Sequence, residues 1–248
     1  MKLTILGSGT CVPSLKRSSP ANFLKISENK ILIDCGAGTL NQLLKSKVSY
    51  KDIDIVFLSH FHPDHVSELA PLIHALSWTP DFDRKKDLVL IGPSGFKSFY
   101  KNIVFPVVGN PRPNTYKVRI IEIGKKLIFK DFIVKSTKTI HSPESIAYQF
   151  IEKNKILTIS GDCDFDHNLI KFSKNSDLLL LECSYANDGK VRGHLIPQEC
   201  GEIAKQASVK KLILTHLYPI SSEGIRLKQT KKIFKNTLLA KDLLTISI

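Results

Sequence analysis

His60-Phe61-His62-Pro63-Asp64-His65 puts four side chains able to ligate a metal within six residues. The stretch follows Asp52-Ile-Asp-Ile-Val-Phe-Leu-Ser59, a short apolar run that reads as a buried strand. Residues 66–78 after it carry a mostly helical pattern. The ligands therefore fall where a strand ends and a helix begins, a usual place for a site in a layered α/β protein. Three of the chain's eight His lie here, and a strand-end loop gives them no packing reason to cluster. The density points to metal binding.

Working outward, the same placement recurs. Residues 2–6 form an apolar strand that runs into Gly7-Ser-Gly-Thr-Cys-Val-Pro13. No helix opens in the right place for this loop to be a dinucleotide fingerprint. Residues 22–26 and 31–33 read as a hairpin around Ser27-Glu-Asn-Lys30, and the second strand ends in Asp34. Residues 155–160 run into Gly161-Asp162, residues 177–181 into Glu182, and residues 211–215 into His216. Asp34, His60, Asp162, Glu182 and His216 thus stand at or within a residue or two of strand ends. Groups at strand ends on one edge of a layered fold converge in space.

Elsewhere, residues 96–103 read as a helix. Residues 104–114, with four Pro or Gly, read as an irregular loop. The tail reads as a Lys-rich helix over 229–235 and a terminal strand over 243–248. His74 is expected to pack on a helix near the site and His167 to lie on the surface. With no repeat or linker, 1–248 is expected to be one domain.

Composition narrows the class. Apolar residues make up 42% of the chain, ordinary for a globular protein. The net charge of +13 fits a phosphorylated or nucleic-acid partner, or a Lys-rich surface with no specific use, since no block of five or six basic residues occurs. The five Cys form no Cys-x-x-Cys pair and read as buried thiols of a reducing compartment. No apolar run approaches bilayer-spanning length, so a cytoplasmic protein without a membrane partner is expected.

Phosphoester hydrolysis needs an activated water and neutralisation of phosphoryl charge, and two ions about 3.5–4 Å apart can supply both. His60, His62 and His141 could hold one ion, Asp64, His65 and His216 the other, with Asp162 bridging. Imidazole and carboxylate suit Zn²⁺, with Mn²⁺ or Fe as alternatives. Asp34 is either a ligand or an anchor for a ligand His; the second is favoured because the ligand set is already complete. His194 follows a Gly and precedes a helix. Its spacing is compatible with a proton donor to the leaving oxygen or with a surface loop His. Glu182 could orient it. Arg17, Ser18 and Ser19 are candidates to touch a distal phosphate.

This constellation resembles the metallo-β-lactamase superfamily, in the branch of ribonuclease Z and related phosphodiesterases. The resemblance rests on His60-x-His62-x-Asp64-His65, Leu6-Gly-Ser-Gly-Thr-Cys-Val-Pro13, Ile33-Asp34-Cys-Gly-Ala-Gly-Thr39, His141, Ser160-Gly161-Asp162 and His216. It implies a four-layer αββα sandwich with mixed sheets, a dinuclear zinc site, and Glu182 and His194 cooperating at the leaving group. A homodimer is implied by resemblance alone. Only twenty residues separate His141 from Asp162, too few for the tRNA-clamping arm that the bacterial ribonuclease Z inserts there. Cys-Ser after Glu182 and Leu after His194 also depart from the ribonuclease Z pattern. The sequence therefore reads as an arm-less metal-dependent phosphodiesterase, in which metal-bound hydroxide, with Asp64 at the site, attacks a small or cyclic phosphodiester. A tRNA 3′-processing endonuclease acting on RNA is the second reading, and a hydrolase of another ester or lactone the third.

Overall fold

The computed structural model describes residues 1–111, 115–220 and 222–248. Its strands follow from side-chain alternation. In β1 (Lys2–Gly7), Leu3 and Ile5 point into one core while Leu6 points into another. The strands next to it are β2 (Ala21–Ile26), β3 (Asn29–Ile33), β4 (Ile55–Phe57), β5 (Leu88–Gly92) and β6 (Val118–Glu122). With the C-terminal β14 (Thr245–Ser247) they form one sheet in the order β14-β1-β2-β3-β4-β5-β6. The second sheet contains β7 (Lys126–Ile128), β8 (Ile133–Lys138), β9 (Ile146–Glu152), β10 (Lys155–Ile159), β11 (Leu178–Glu182), β12 (Leu212–Thr215) and β13 (Thr237–Leu239), in the order β13-β12-β11-β10-β9-β8-β7.

Both sheets are mixed in the same way. Pairing is antiparallel from β14 to β3 and parallel from β3 to β6. It is antiparallel from β7 to β10 and parallel from β10 to β13. The inner faces meet through Leu24, Ile33, Phe57, Tyr148, Phe150, Leu157 and Leu180, all buried. Phe57 meets Tyr148 and Phe150 edge-on, each with ring centroids 5.2 Å apart. The outer faces are covered by helices. Those of the first half are α1 (Thr39–Lys45), α2 (Pro63–Val66), α3 (Leu69–Trp78), α4 (Phe96–Phe99) and α5 (Phe105–Val108); those of the second are α6 (His167–Phe172), α7 (Pro197–Gln206) and α8 (Glu223–Lys231). This is the expected four-layer αββα sandwich. Strands buried on both faces explain why β11 reads Leu-Leu-Leu-Leu-Glu with no polar alternation.

The helix starts are chemically marked. Glu68 accepts hydrogen bonds from the Gly38 and Leu40 amides at 2.6 and 2.7 Å, which satisfies free N–H groups at the start of α1 with a carboxylate. Asp166 caps α6 by accepting from the Asn168 amide at 2.8 Å.

Three expectations need correction. Residues 104–108 are not irregular: α4 continues through a π-helical turn (Tyr100–Val104) into α5. Pro106 has no N–H to bond back into the preceding turn, and the helix meets it directly after the π-helical turn. The part of the predicted loop at 112–114 lies outside the described residues. The tail helix is Glu223–Lys231 rather than 229–235. Its buried residues, Arg226 and Thr230, are polar, so it carries no apolar stripe to mark it. The short β13 was not anticipated, and the terminal strand is confined to Thr245–Ser247, paired with β1.

Candidate metal centre

The parallel strands β3, β4, β10, β11 and β12 end on one edge of the sandwich, and the chain emerging from each carries a functional group. Asp34 and His216 lie in the left-handed backbone region, at φ 58° and 55°, as does Gly161 at φ 60° just before Asp162. A Cβ on Gly161 would stand 2.8 Å from the Ser59 Cβ, so only glycine brings this turn against β4. Such conformations persist where surrounding structure holds them, and they concentrate at functional sites.

Two ligand groups form. His60, His62, His141 and Asp162 have ligand atoms within 4.8 Å of one another, and so do Asp64, His65 and His216. Asp162 faces both. Its Oδ2 lies 3.8 Å from His60 Nε2 and 3.6 Å from His141 Nε2, while Oδ1 lies 3.3 Å from His65 Nε2 and 3.4 Å from His216 Nε2. His62 Nδ1 and His141 Nε2 stand 3.0 Å apart. Asp64 Oδ2 is 3.4 Å from His216 Nε2.

The far side of each ring is tied down. His65 Nδ1–H donates to Asp34 Oδ2 at 2.8 Å, so Asp34 anchors a His rather than joining either ligand group. His141 Nδ1–H donates to the Gly193 carbonyl at 2.9 Å. Ser59 Oγ meets His60 Nδ1 at 3.0 Å, and Ser184 Oγ meets His216 Nδ1 at 2.8 Å.

A metal fits this set. His60 Nε2, His65 Nε2 and Asp162 Oδ1 are buried without a hydrogen-bond partner among the described residues. An unsatisfied buried polar atom costs about 1–3 kcal/mol, and a cation held between them would satisfy all three. Imidazole nitrogens with carboxylate oxygens are a zinc-type donor set. Electrostatics agree. Burial, reinforced by the charge of His65, pushes the His60 pKa far down and keeps the ring neutral. Burial alone would raise Asp162, but His216 and His65 beside it hold its carboxyl well below the usual range. Burial would lower His65, yet Asp162 and Asp34 raise it well above normal. A cation arriving here would displace that proton.

Glu182 and His194 adjoin the second group. Glu182, 1% exposed, accepts from His194 Nδ1–H at 2.8 Å, from the Cys163 and Ser184 amides at 3.1 Å each, and from the Leu195 amide at 3.2 Å. Burial lowers the His194 pKa, but the Glu182 hydrogen bond and charge outweigh it and raise it. A ligand atom of His194 lies within 4.8 Å of those of Asp162 and His216, so its Nε2 faces the site.

Other candidates fare differently. Arg17 is buried and engaged with Glu223, Ser8 Oγ and the Ala240 carbonyl. The Ser18 amide bonds Asp242 and Ser19 Oγ bonds the Thr10 carbonyl. The Arg17 guanidinium and the Ser19 hydroxyl are thus engaged inside the fold rather than directed at a distal phosphate. His74 is exposed beside Trp78, and His167 is exposed at the start of α6. Ser59, Ser184 and Gly193 escaped the sequence reading, although Ser59 precedes a ligand and Ser184 lies two residues after Glu182, the spacing that returns a side chain to the same face of an extended segment. Tyr185 and Tyr218 also line this region: their rings stack at 4.9 Å, and Tyr185 lies 5.8 Å from the His194 ring.

Comparison with known proteins agrees with this geometry. A ribonuclease Z from Clostridium tetani is 30% identical over 312 aligned positions, covering 99% of this chain and 98% of that protein. Since this chain has 248 residues, the clostridial protein carries dozens of residues with no counterpart here. The probable metallo-hydrolase YhfI of Bacillus subtilis is 26% identical over 246 positions, covering 94% of each chain. Its crystal structure superposes with a TM-score of 0.86 at 25% identity, over 99% of this chain and 98% of that one. The human short-form tRNase Z superposes with a TM-score of 0.81 at 25% identity, over 100% and 99%. The family model described as Anti-Pycsar protein Apyc1 matches residues 1–234. Matched over nearly its whole length and carrying His/Asp clusters able to bind metal, the chain belongs to the Anti-Pycsar protein Apyc1 family, as a metallo-β-lactamase-fold hydrolase of the ribonuclease Z type.

Proposed function

We propose that the protein is a dinuclear metal-dependent phosphodiesterase acting on a small or cyclic phosphodiester. The observation that carries this reading is Asp162, which turns one carboxylate oxygen to each of two ligand groups with the Glu182–His194 pair beside them. His60, His62 and His141 would hold one ion, Asp64, His65 and His216 the other, and Asp162 both. Zn²⁺ suits these donors best, with Mn²⁺ or Fe as alternatives. When bound, the ions supply an activated water and neutralise charge on the non-bridging phosphoryl oxygens.

The rest falls to the chain. Glu182 keeps His194 oriented through Nδ1–H and favours its protonated form. His194 Nε2 then gives its proton to the leaving oxygen as the P–O bond breaks. Asp34 and the Gly193 carbonyl fix the rings of His65 and His141, so that little reorganisation accompanies the reaction.

Substrate size is argued from the connection between His141 and Asp162. It is filled by β9 and β10, which pair directly as a hairpin, leaving no length for an RNA-clamping arm. A second reading, a ribonuclease Z-like endonuclease, is favoured by the names of the relatives and by the net charge of +13. Zn²⁺-loaded protein should be offered cyclic mononucleotides, an aryl phosphonate diester and a tRNA precursor in parallel. Turnover of the small diesters with the precursor left intact is expected. Cleavage of the precursor alone would replace this reading by the second, and no turnover of any phosphodiester would end both.

A further inference from the structure

Glu182 serves two histidines that the proposed mechanism treats separately. It binds His194 directly, at 2.8 Å, and it also meets the Ser184 hydroxyl at 2.7 Å. A carboxylate has no proton to give, so the hydroxyl proton points to Glu182. The lone pairs of Ser184 Oγ are then free to accept, and His216 Nδ1 lies 2.8 Å away. That nitrogen must carry a ring proton, so Nε2, 3.4 Å from both Asp162 and Asp64, is the nitrogen left to offer a lone pair to a cation.

The first half of the molecule repeats the device. Asp34 binds His65 directly at 2.8 Å and meets the Ser59 hydroxyl at 3.0 Å, and that hydroxyl accepts from His60 Nδ1–H at 3.0 Å. In each half a buried carboxylate at a strand end holds one His itself and a second through a serine. Ser59 and Ser184 are 2% and 0% exposed, so no solvent competes for these bonds.

We propose that Ser184 is a positioning residue that joins His216 and His194 to one carboxylate, setting the His216 tautomer for metal binding while keeping Glu182 in place for His194. This rests on the reading of His216 as a ligand given above. It implies that the second ion and the proton donor share one support, so that a single hydroxyl governs both.

The test uses the full-length protein. In the metal-free state, long-range proton–nitrogen correlation spectra at a pH where the ring is neutral should show His216 with its proton on Nδ1. Zinc titration against a chromophoric chelator should show that Ser184→Ala weakens one of two equivalents by about 10- to 100-fold, the usual cost of losing a ligand's hydrogen-bond partner. Turnover of a small diester should fall with it. Ser184→Thr, which keeps the hydroxyl, should restore both. Equal zinc affinity in Ser184→Ala and the natural protein would overturn the inference, and so would a His216 proton on Nε2. If Ser184→Ala does not fold, the tautomer of the natural protein decides alone. If the natural protein takes up no zinc, the functional reading fails, and the tautomer still judges the role of Ser184.

Discussion

At the residue scale, the site depends on single hydrogen bonds that set which nitrogen carries a proton. Glu182 beside His194 is the clearest case. Burial alone would lower the His194 pKa, and the carboxylate raises it instead. A raised value keeps the acid form to higher pH, so the alkaline limb of kcat/KM should report loss of the His194 proton. In Glu182→Gln the largest raising contribution disappears, while those of Asp162 and Asp64 stay. The alkaline limb is then expected to move to lower pH, with kcat falling by about 100-fold or more. A pH–rate profile checks this, and an unmoved limb would remove Glu182 from the role. Arg17 illustrates the opposite outcome. A basic residue in a loop next to candidate ligands reads as a substrate contact, yet its guanidinium is consumed by Glu223, Ser8 and Ala240.

At the element scale, the strand ends are aimed by packing beneath them. Tyr148 on β9 crosses the inter-sheet core and donates its hydroxyl to the Leu58 carbonyl at 2.7 Å. Leu58 follows β4 and leads directly into Ser59 and His60. The bond therefore fastens one sheet to the ligand loop of the other. Tyr148→Phe keeps the ring against Phe57 but leaves the Leu58 carbonyl buried and unpaired, at a cost of about 1–3 kcal/mol. Urea unfolding should show that loss of stability. A variant as stable as the natural protein would mean that another donor serves Leu58. α8 shows where element prediction runs out, because its inward face is Arg226 and Thr230.

On the scale of the whole molecule, the site joins the two sheets. His60, His62, Asp64 and His65 come from the first half of the chain, while His141, Asp162 and His216 come from the second. A cation bound by both groups would link the halves as well as serve the reaction. A chelator is therefore expected to lower the unfolding temperature. Ligand at about 100 times its dissociation constant is worth about 2.7 kcal/mol of stability. Restoring Zn²⁺ should recover the transition in a thermal scan, and a midpoint indifferent to chelation would argue against a shared site. The C-terminal segment closes the same edge by other means. Asp242 accepts from the Ser8 amide and hydroxyl, the Ser18 amide and Gln42 Nε2, pinning the loop after β1. Among the described residues no helix is long and apolar enough to cross a membrane.

The amino-acid sequence by itself determined which residues are candidate ligands and the strands that carry them. Short continuous apolar runs such as β11, too brief for an ordinary helix, read as buried strands, and ligand-type residues recur where those runs stop. Sequence spacing also determined that the connection between His141 and Asp162 is short. Only the tertiary structure decided which oxygen of Asp162 faces which group, that Asp34 supports a ring instead of joining the ligands, and that Arg17 is spent inside the fold. It also brought out Ser59 and Ser184, which a sequence presents as two more small polar residues. The reason is physical: burial and alternation are encoded locally along the chain, whereas the proton positions that set ligand chemistry depend on partners tens of residues away, brought to bonding distance only when the two sheets pack.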